Sequence, residues 1–194
     1  MYKKLVFAVC LLMTVFALPA QEARYEVKSA IIQKTMEMMG QQMENIQYID
    51  DYGSKETIVM KMTIPGAGSS IEVRTINKGD TIISINMTNK TGQRTVLPEK
   101  PVNFRKITPE IKEKYELKEE GQEQIAGKMC NKYSMVVTQM GVKASSTVWI
   151  WKGITLKSVT SVSGMTVTEL TTGILENVAP SAEFFTIPDG VTIQ

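Results

Sequence analysis

Methionine is the residue type whose number and spacing stand out in this sequence. The chain has thirteen methionines, and six of them lie close together in its first third: Met36, Met38, Met39, Met43, Met60 and Met62. A thioether side chain is flexible and polarizable, so a methionine-rich surface adapts to apolar ligands of variable shape. Thioethers also bind Cu(I), although such sites usually recruit histidine or cysteine as well. The spacing therefore allows an apolar ligand surface or, as an alternative, a soft-metal site.

Few residues of the chain have the types and spacing that catalysis needs. There is no histidine, which excludes Ser-His-Asp and Cys-His nucleophile systems and histidine-based zinc sites. The adjacent carboxylates Asp50–Asp51 and Glu119–Glu120 lie in turn-like stretches, whereas a glycosidase needs carboxylates that face each other across a cleft. Cys130 lies in a strand-like pattern and is interpreted as a small buried hydrophobic residue. We therefore predict no enzyme, no resident cofactor and no metal.

The apolar residues alternate with polar ones in a way that predicts strands. In residues 55–64, KETIVMKMTI, every second side chain from Ile58 onward is apolar, which is typical of a strand with one wet face. The same period places Ile83, Ile85 and Met87 on one side of a strand over 81–88. Trp149 and Trp151 also share a side of their strand, where they line a pocket mouth or anchor the core. The predicted ligand-binding residues are Ile58, Met60, Met62, Ile83, Ile85, Met87, Trp149 and Trp151.

Short strands punctuated by turn residues predict a mainly β, antiparallel fold. Further strands are expected at 24–39, 42–50, 71–77, 93–97, 122–126, 129–138, 145–151, 156–163 and 165–174. The first of these changes its apolar face near Ile31–Ile32, which indicates a bulge or strong bend. One short helix is expected over 108–117, with Thr108 as N-cap and Pro109 in the first turn. This helix and its preceding loop are either a lid or a connector that covers one sheet edge.

The first twenty residues have the pattern of a secretory signal peptide. Lys3 and Lys4 precede an apolar run from Leu5 to Leu18, which is too short for a membrane span. Residues 21–194 are then expected to form a single mature domain with no transmembrane segment. The net charge of +2 belongs to those two lysines, so the mature chain is neutral and no nucleic-acid partner is expected.

The last third of the sequence contains a set of short motifs carried by Gly127, Cys130, Lys132, Tyr133, Val148, Trp149, Ile150, Phe185, Pro188 and Gly190. In these motifs the chain resembles an uncharacterised family of bacterial envelope proteins that is similar to the LolA/LolB lipoprotein carriers. The resemblance implies a strongly curved antiparallel sheet, a half-open barrel whose concave apolar face holds acyl chains.

From these observations we expect an exported, non-catalytic protein of the periplasm or cell envelope of a Gram-negative bacterium. It would bind a hydrophobic ligand, a lipid or the acyl chains of a lipoprotein, on the concave face of its sheet. The alternative is an envelope scaffold with a filled core that binds a protein partner and no ligand.

Overall fold

The described part of the chain folds into one large β-sheet. The computed structural model describes residues 23–63, 70–97, 101–139 and 142–194. The strands in these ranges are β1 Ala30–Met38, β2 Gln41–Asp50, β3 Lys55–Thr63, β4 Ser70–Lys78, β5 Thr81–Asn86, β6 Thr91–Val96, β7 Lys118–Ile125, β8 Lys128–Gln139, β9 Val142–Trp151, β10 Ile154–Val162, β11 Met165–Glu176 and β12 Thr192–Ile193. The helix α1 spans Pro109–Lys114, and 3-10 turns lie at Asp51–Gly53 and Ala182–Phe185. For this part of the chain the expected mainly β class with a short helix is confirmed.

The strands are ordered β12-β6-β5-β4-β3-β2-β1-β11-β10-β9-β8-β7 across the sheet. All neighbours pair antiparallel except β6 and β12, which pair in parallel. Strands β1 to β6 therefore form one meander and β7 to β11 a second, and the pairing of β1 with β11 joins the two halves.

The sheet is open and is not strongly curled, which corrects the predicted strongly curved half-barrel. Strong bending was expected from a bulge near Ile31–Ile32. Both of these residues pair regularly with β11, and the register shifts only after Gln33. The extra residue is Thr172 of the partner strand, because Gln33 pairs with Gly173 and Lys34 with Thr171.

Residues 24–29, which the sequence pattern assigns to the first strand, instead cross one end of the sheet. The amide of Tyr25 donates to the carbonyl of Tyr52 (3.1 Å), and the amide of Glu26 donates to that of Lys152 (3.0 Å). Tyr25 and Val27 point into the core. The alternating apolar residues here therefore belong to a segment that crosses the sheet, not to a paired strand.

The segment before and including α1 packs on one side of β8 and β9. The side chain of Thr108 accepts a hydrogen bond from the amide of Ile111 (3.4 Å), and Pro109 opens the helix, so the predicted helix start is confirmed. The packed residues are Val102, Phe104, Ile107, Tyr115, Leu117, Tyr133, Met135, Val148 and Ile150. The segment thus covers a face of the sheet rather than an edge.

The predicted signal peptide, residues 1–20, lies outside the described residues. Among the helices within the described ranges, none has the length and apolar character needed to cross a membrane.

Candidate functional site

The aliphatic and methionine residues predicted to line one ligand site fall on both sides of the sheet. Met60 pairs with Val73, and Val73 pairs with Asn86. Cross-strand partners point to the same side and sequence neighbours alternate, so Ile85 lies on the side opposite to Met60. Ile58, Met60 and Met62 share one side, whereas Ile83, Ile85 and Met87 share the other. The predicted common face is therefore wrong, because the register of β3, β4 and β5 divides it.

The side that carries Ile83 and Ile85 is covered by residues 178–194, which we call the C-terminal segment. The residues that pack together there are Ile76, Ile83, Ile85, Met87, Ile187, Val191 and Ile193. Thr57, on the same side, donates its hydroxyl to the carbonyl oxygen of Phe184 (2.9 Å). These predicted site residues are consequently part of a filled core.

Trp149 and Trp151 are also core residues, with exposed fractions of 5% and 9%. Both belong to the main hydrophobic cluster, which includes Ile32 and Ile49. Four lysine ammonium groups lie 4.2–5.2 Å from the indole centroids: those of Lys128, Lys132, Lys152 and Lys157. The indole nitrogen of Trp149 donates to Glu123 (2.7 Å). From the sequence this pair is expected either to line a pocket mouth or to anchor the core, and in the structure both residues lie in the core.

The other predicted positions lie on a surface that we call the methionine face, defined by Met36, Met43, Ile58, Met60 and Met62. Met36 pairs with Met43 across β1 and β2, and Ile58 pairs with Gln47 across β2 and β3. Met43 is buried, and the other four are half-buried. Alternation in β3 thus correctly grouped three of these residues, and the pairing of β1 with β2 adds two more methionines.

Buried polar side chains border the methionine face, and the sequence patterns did not reveal them. They are Lys34, Asn45, Gln47, Glu56 and Thr171. In β2, apolar residues occur on both sides of the strand: Met43 and Ile49 on one side, Ile46 and Tyr48 on the other. Alternation therefore does not show which side is buried. The signal that could have found them is the placement of Asn45 and Gln47 between Met43 and Ile49 in one alternating set.

Glu56 is the centre of a buried hydrogen-bond network. Its carboxylate accepts bonds from Arg24 (2.7 Å), Tyr25 (2.8 Å), Gln47 (2.5 Å) and Asn77 (3.0 Å). Burial alone would raise the pKa of Glu56, but the Arg24 charge and the hydrogen bonds outweigh it and hold that pKa below its usual value. The carboxylate is therefore ionised and accepts only.

A second network lies farther along the strands. The Lys34 ammonium is 3.0 Å from Glu169, and the amide group of Asn45 donates to the same carboxylate (2.9 Å). Lys34 is itself buried, so its charge depends on Glu169 for compensation.

Cys130, Asp50 and Asp51, which were considered for catalysis from the sequence, lie in structural positions. Cys130 is buried, and burial raises the pKa of its thiol, as does the nearby Glu123 carboxylate. Asp50 is the last residue of β2 and pairs with Lys55 (3.3 Å), whereas Asp51 lies in the turn before β3 and accepts a hydrogen bond from Ser54 (2.8 Å). In the part of the chain that the structure describes, no group of three or more His, Cys, Asp or Glu side chains could hold a metal ion.

Comparison with solved structures shows which fold this is. An uncharacterised conserved protein from Thermus thermophilus matches with a TM-score of 0.56 at 9% identity, over 87% of this chain and 91% of that one. MucB of Pseudomonas aeruginosa, in its complex with MucA, matches with a TM-score of 0.51 at 13% identity, over 85% of this chain. The chain spans 57% of the length of that MucB chain.

A putative outer membrane lipoprotein-sorting protein domain from Vibrio parahaemolyticus also matches, at 12% identity over 84% of this chain and 92% of that one. Its TM-score of 0.42 is too low to add to the assignment. No family model matches the sequence, and no curated protein matches it. The structural matches confirm the LolA-like fold that the C-terminal third of the sequence resembles.

Proposed function

We propose that this protein is a non-catalytic, exported protein of the bacterial envelope that binds an amphiphile, a lipid or the acyl chains of a lipoprotein, on its methionine face. The observation that carries the proposal is the composition of that face. Four flexible thioethers and Ile58 lie side by side on three adjacent strands, and four of these five side chains remain partly exposed. Such a surface adapts to an acyl chain of variable shape.

The two faces of β2 and β3 differ in a way that supports this assignment. The face that carries Tyr48 and Thr57 is covered by the C-terminal segment. On the methionine face, Met60 and Met62 keep part of their surface accessible. An apolar ligand would remove that surface from water, which is favourable by about 25 cal/mol for each Å² buried.

Residues 1–20 support export, because they have the pattern of a cleaved signal peptide. The LolA-like fold does not by itself assign a role, because one fold can carry many activities and function depends on the site. Ligand binding by Ile58, Met60 and Met62 is therefore proposed from the composition of the site and not from the fold.

A protein partner is the second candidate function. MucB has been solved in complex with the periplasmic part of MucA, and it matches this chain with a TM-score of 0.50 at 14% identity. A protein of this fold can therefore act by binding another protein, and a filled interior with no ligand would favour that role here.

Native mass spectrometry of the mature protein from a periplasmic extract tests the proposal, followed by organic extraction of the bound material. We expect a co-purifying lipid or acylated peptide, and its loss in Met60→Asp and Met62→Asp. Lys61→Gln is the matched control, because Lys61 lies between them, points to the other side and is exposed. Absence of any bound lipid, together with no uptake of added lipid, would leave the protein-binding role.

A further inference from the structure

Unpaired polar atoms are concentrated beside the methionine face. Within the described residues, five buried side-chain atoms have no hydrogen-bond partner: Asn45 Oδ1, Gln47 Oε1, Asn77 Oδ1, Thr171 Oγ1 and Arg74 Nε. Four of the five belong to the side that carries the methionines. Asn45, Gln47 and Thr171 are exposed to only 2%, 5% and 4%, so bulk water does not reach them freely.

The strand register shows how close these atoms are to the methionines. Asn45 pairs with Met60 on one flank and with Lys34 on the other, and Lys34 pairs with Thr171. Gln47 pairs with Ile58. The residues with unpaired oxygens are therefore cross-strand neighbours of the apolar side chains, on the same side of the sheet.

The orientation of the three amides is fixed by their carboxylate partners. Asn45 donates its amide group to Glu169, and Gln47 and Asn77 donate theirs to Glu56. An ionised carboxylate only accepts hydrogen bonds, so each amide must turn its nitrogen toward it. The amide oxygens are then directed elsewhere, and a rotation of the amide cannot satisfy them.

Unpaired buried acceptors destabilise the protein unless a donor reaches them. The charges beside them already cancel, because Arg24 pairs with Glu56 and Lys34 with Glu169. An anionic head group would bring further acceptors to amide oxygens and carboxylates that cannot donate. A neutral group with hydroxyl or amide N–H donors would satisfy them.

Building on the proposed function, we propose that the amphiphile bound on the methionine face has an uncharged head group with hydrogen-bond donors, which the side chains of Asn45, Gln47 and Thr171 recognise. The acyl chain lies along Met36, Met60 and Met62. The thioether chains bordering the oxygens rotate to admit the head group, because methionine has three flexible side-chain bonds. The specificity follows the rule that a site built from unpaired polar groups rejects analogues that cannot pair with them.

Competition binding with three ligands of one acyl chain tests this inference. The delipidated mature protein is loaded with the apolar fluorescent probe N-phenylnaphthylamine and titrated with monooleoylglycerol, methyl oleate and oleate. We expect monooleoylglycerol to displace the probe at a concentration at least roughly ten-fold lower than the other two. Equal displacement by all three would overturn the head-group inference while leaving the apolar site, and would mean that water satisfies the oxygens. If no ligand displaces the probe, the proposed function itself fails.

Thr171→Val gives a sharper test, because valine has the shape of threonine and Thr171 Oγ1 has no partner to lose. We expect the preference for monooleoylglycerol over methyl oleate to fall by about five-fold, the equivalent of one neutral hydrogen bond. Thr168→Val is the control, since Thr168 lies in the same strand and pairs with Glu37 on the opposite side. An unchanged preference in folded Thr171→Val, or an equal fall in both variants, would contradict recognition by Thr171.

Discussion

The phenol ring of Tyr48 and the phenyl ring of Phe184 are stacked, with centroids 3.8 Å apart and planes inclined by 12°. Tyr48 belongs to β2 and Phe184 to the 3-10 turn of the C-terminal segment. Arg74 lies over the same phenyl ring at 5.5 Å from its centroid. The contact fixes the C-terminal segment to the side of β2 opposite the methionine face.

Phe184→Leu should therefore destabilise the protein by about 1 kcal/mol in addition to the effect of the smaller buried apolar area. Leucine keeps an apolar side chain but cannot stack on the Tyr48 ring. Urea unfolding of the single variants Phe184→Leu and Tyr48→Leu and of the double variant measures the coupling between the rings. A coupling free energy near zero would show that the rings are adjacent without stabilising each other.

Gly153 should be intolerant of a side chain because the segment 24–29 approaches it closely. Its φ is +84°, and a Cβ there would lie 2.6 Å from the carbonyl oxygen of Arg24. Gly164 has a similar φ of +81°, but a Cβ there meets no atom within 4 Å. Gly164→Ala should thus cost about 1 kcal/mol for the left-handed backbone alone. Gly153→Ala should cost roughly 2 kcal/mol more, since backbone must move.

Thermal and urea unfolding of both glycine variants checks this difference. Equal losses of unfolding free energy would mean that residues 24–29 do not closely contact the turn between β9 and β10.

Glu56→Gln should destabilise the protein by about 3 kcal/mol at neutral pH. The substitution leaves the Arg24 charge without its partner and places a donor, the new amide nitrogen, against Tyr25, Gln47 and Asn77, which all donate to Glu56. Glu44→Gln is the control, because Glu44 is exposed on the same sheet, and its effect should stay within about 0.5 kcal/mol.

The effect of Glu56→Gln should also depend on pH. Because the folded state lowers the pKa of Glu56, the ionised carboxylate stabilises the protein above the pKa of the unfolded chain, and this contribution falls as pH drops through the folded pKa. The difference in unfolding free energy between wild type and variant should therefore shrink below about pH 4. If the difference in unfolding free energy did not change with pH, the shape of the Glu56 side chain rather than its charge would determine the loss of stability.

Cys130 should not react with thiol reagents in the folded protein. It is fully buried in the main core, and burial raises the pKa of its thiol, so little thiolate is present near neutral pH. We expect a disulfide reagent to modify it only after unfolding. The control is Met129→Cys in a Cys130→Ala background, because Met129 is 59% exposed and a thiol there should react at once.

The sequence predicted the direction of side chains within single strands better than it predicted relations between strands. Alternation correctly grouped Ile58 with Met60 and Met62, and Ile83 with Ile85. It could not relate the two groups, because a shift of one residue in register exchanges the sides of the sheet. Alternation within β3 and within β4 does not specify the register between the two strands.

The buried polar residues were missed for a related reason. Asn45 and Gln47 are polar side chains in a strand whose apolar residues occupy both alternating sets, so periodicity does not indicate which set is buried. Their burial depends on Glu56 and Glu169, which lie on other strands. Only the three-dimensional pairing brings each amide to its carboxylate.

The pairing of β1 with β11 has a consequence for the speed of folding. Within each half of the sheet, successive strands are joined by hairpins and can pair locally. The ion pair of Lys34 with Glu169 joins residues 135 positions apart, and it forms only when the two halves meet. The loop that must close costs much conformational entropy before any of these contacts compensates it. The junction between β1 and β11 is therefore expected to form late, after the hairpins, and to limit the folding rate.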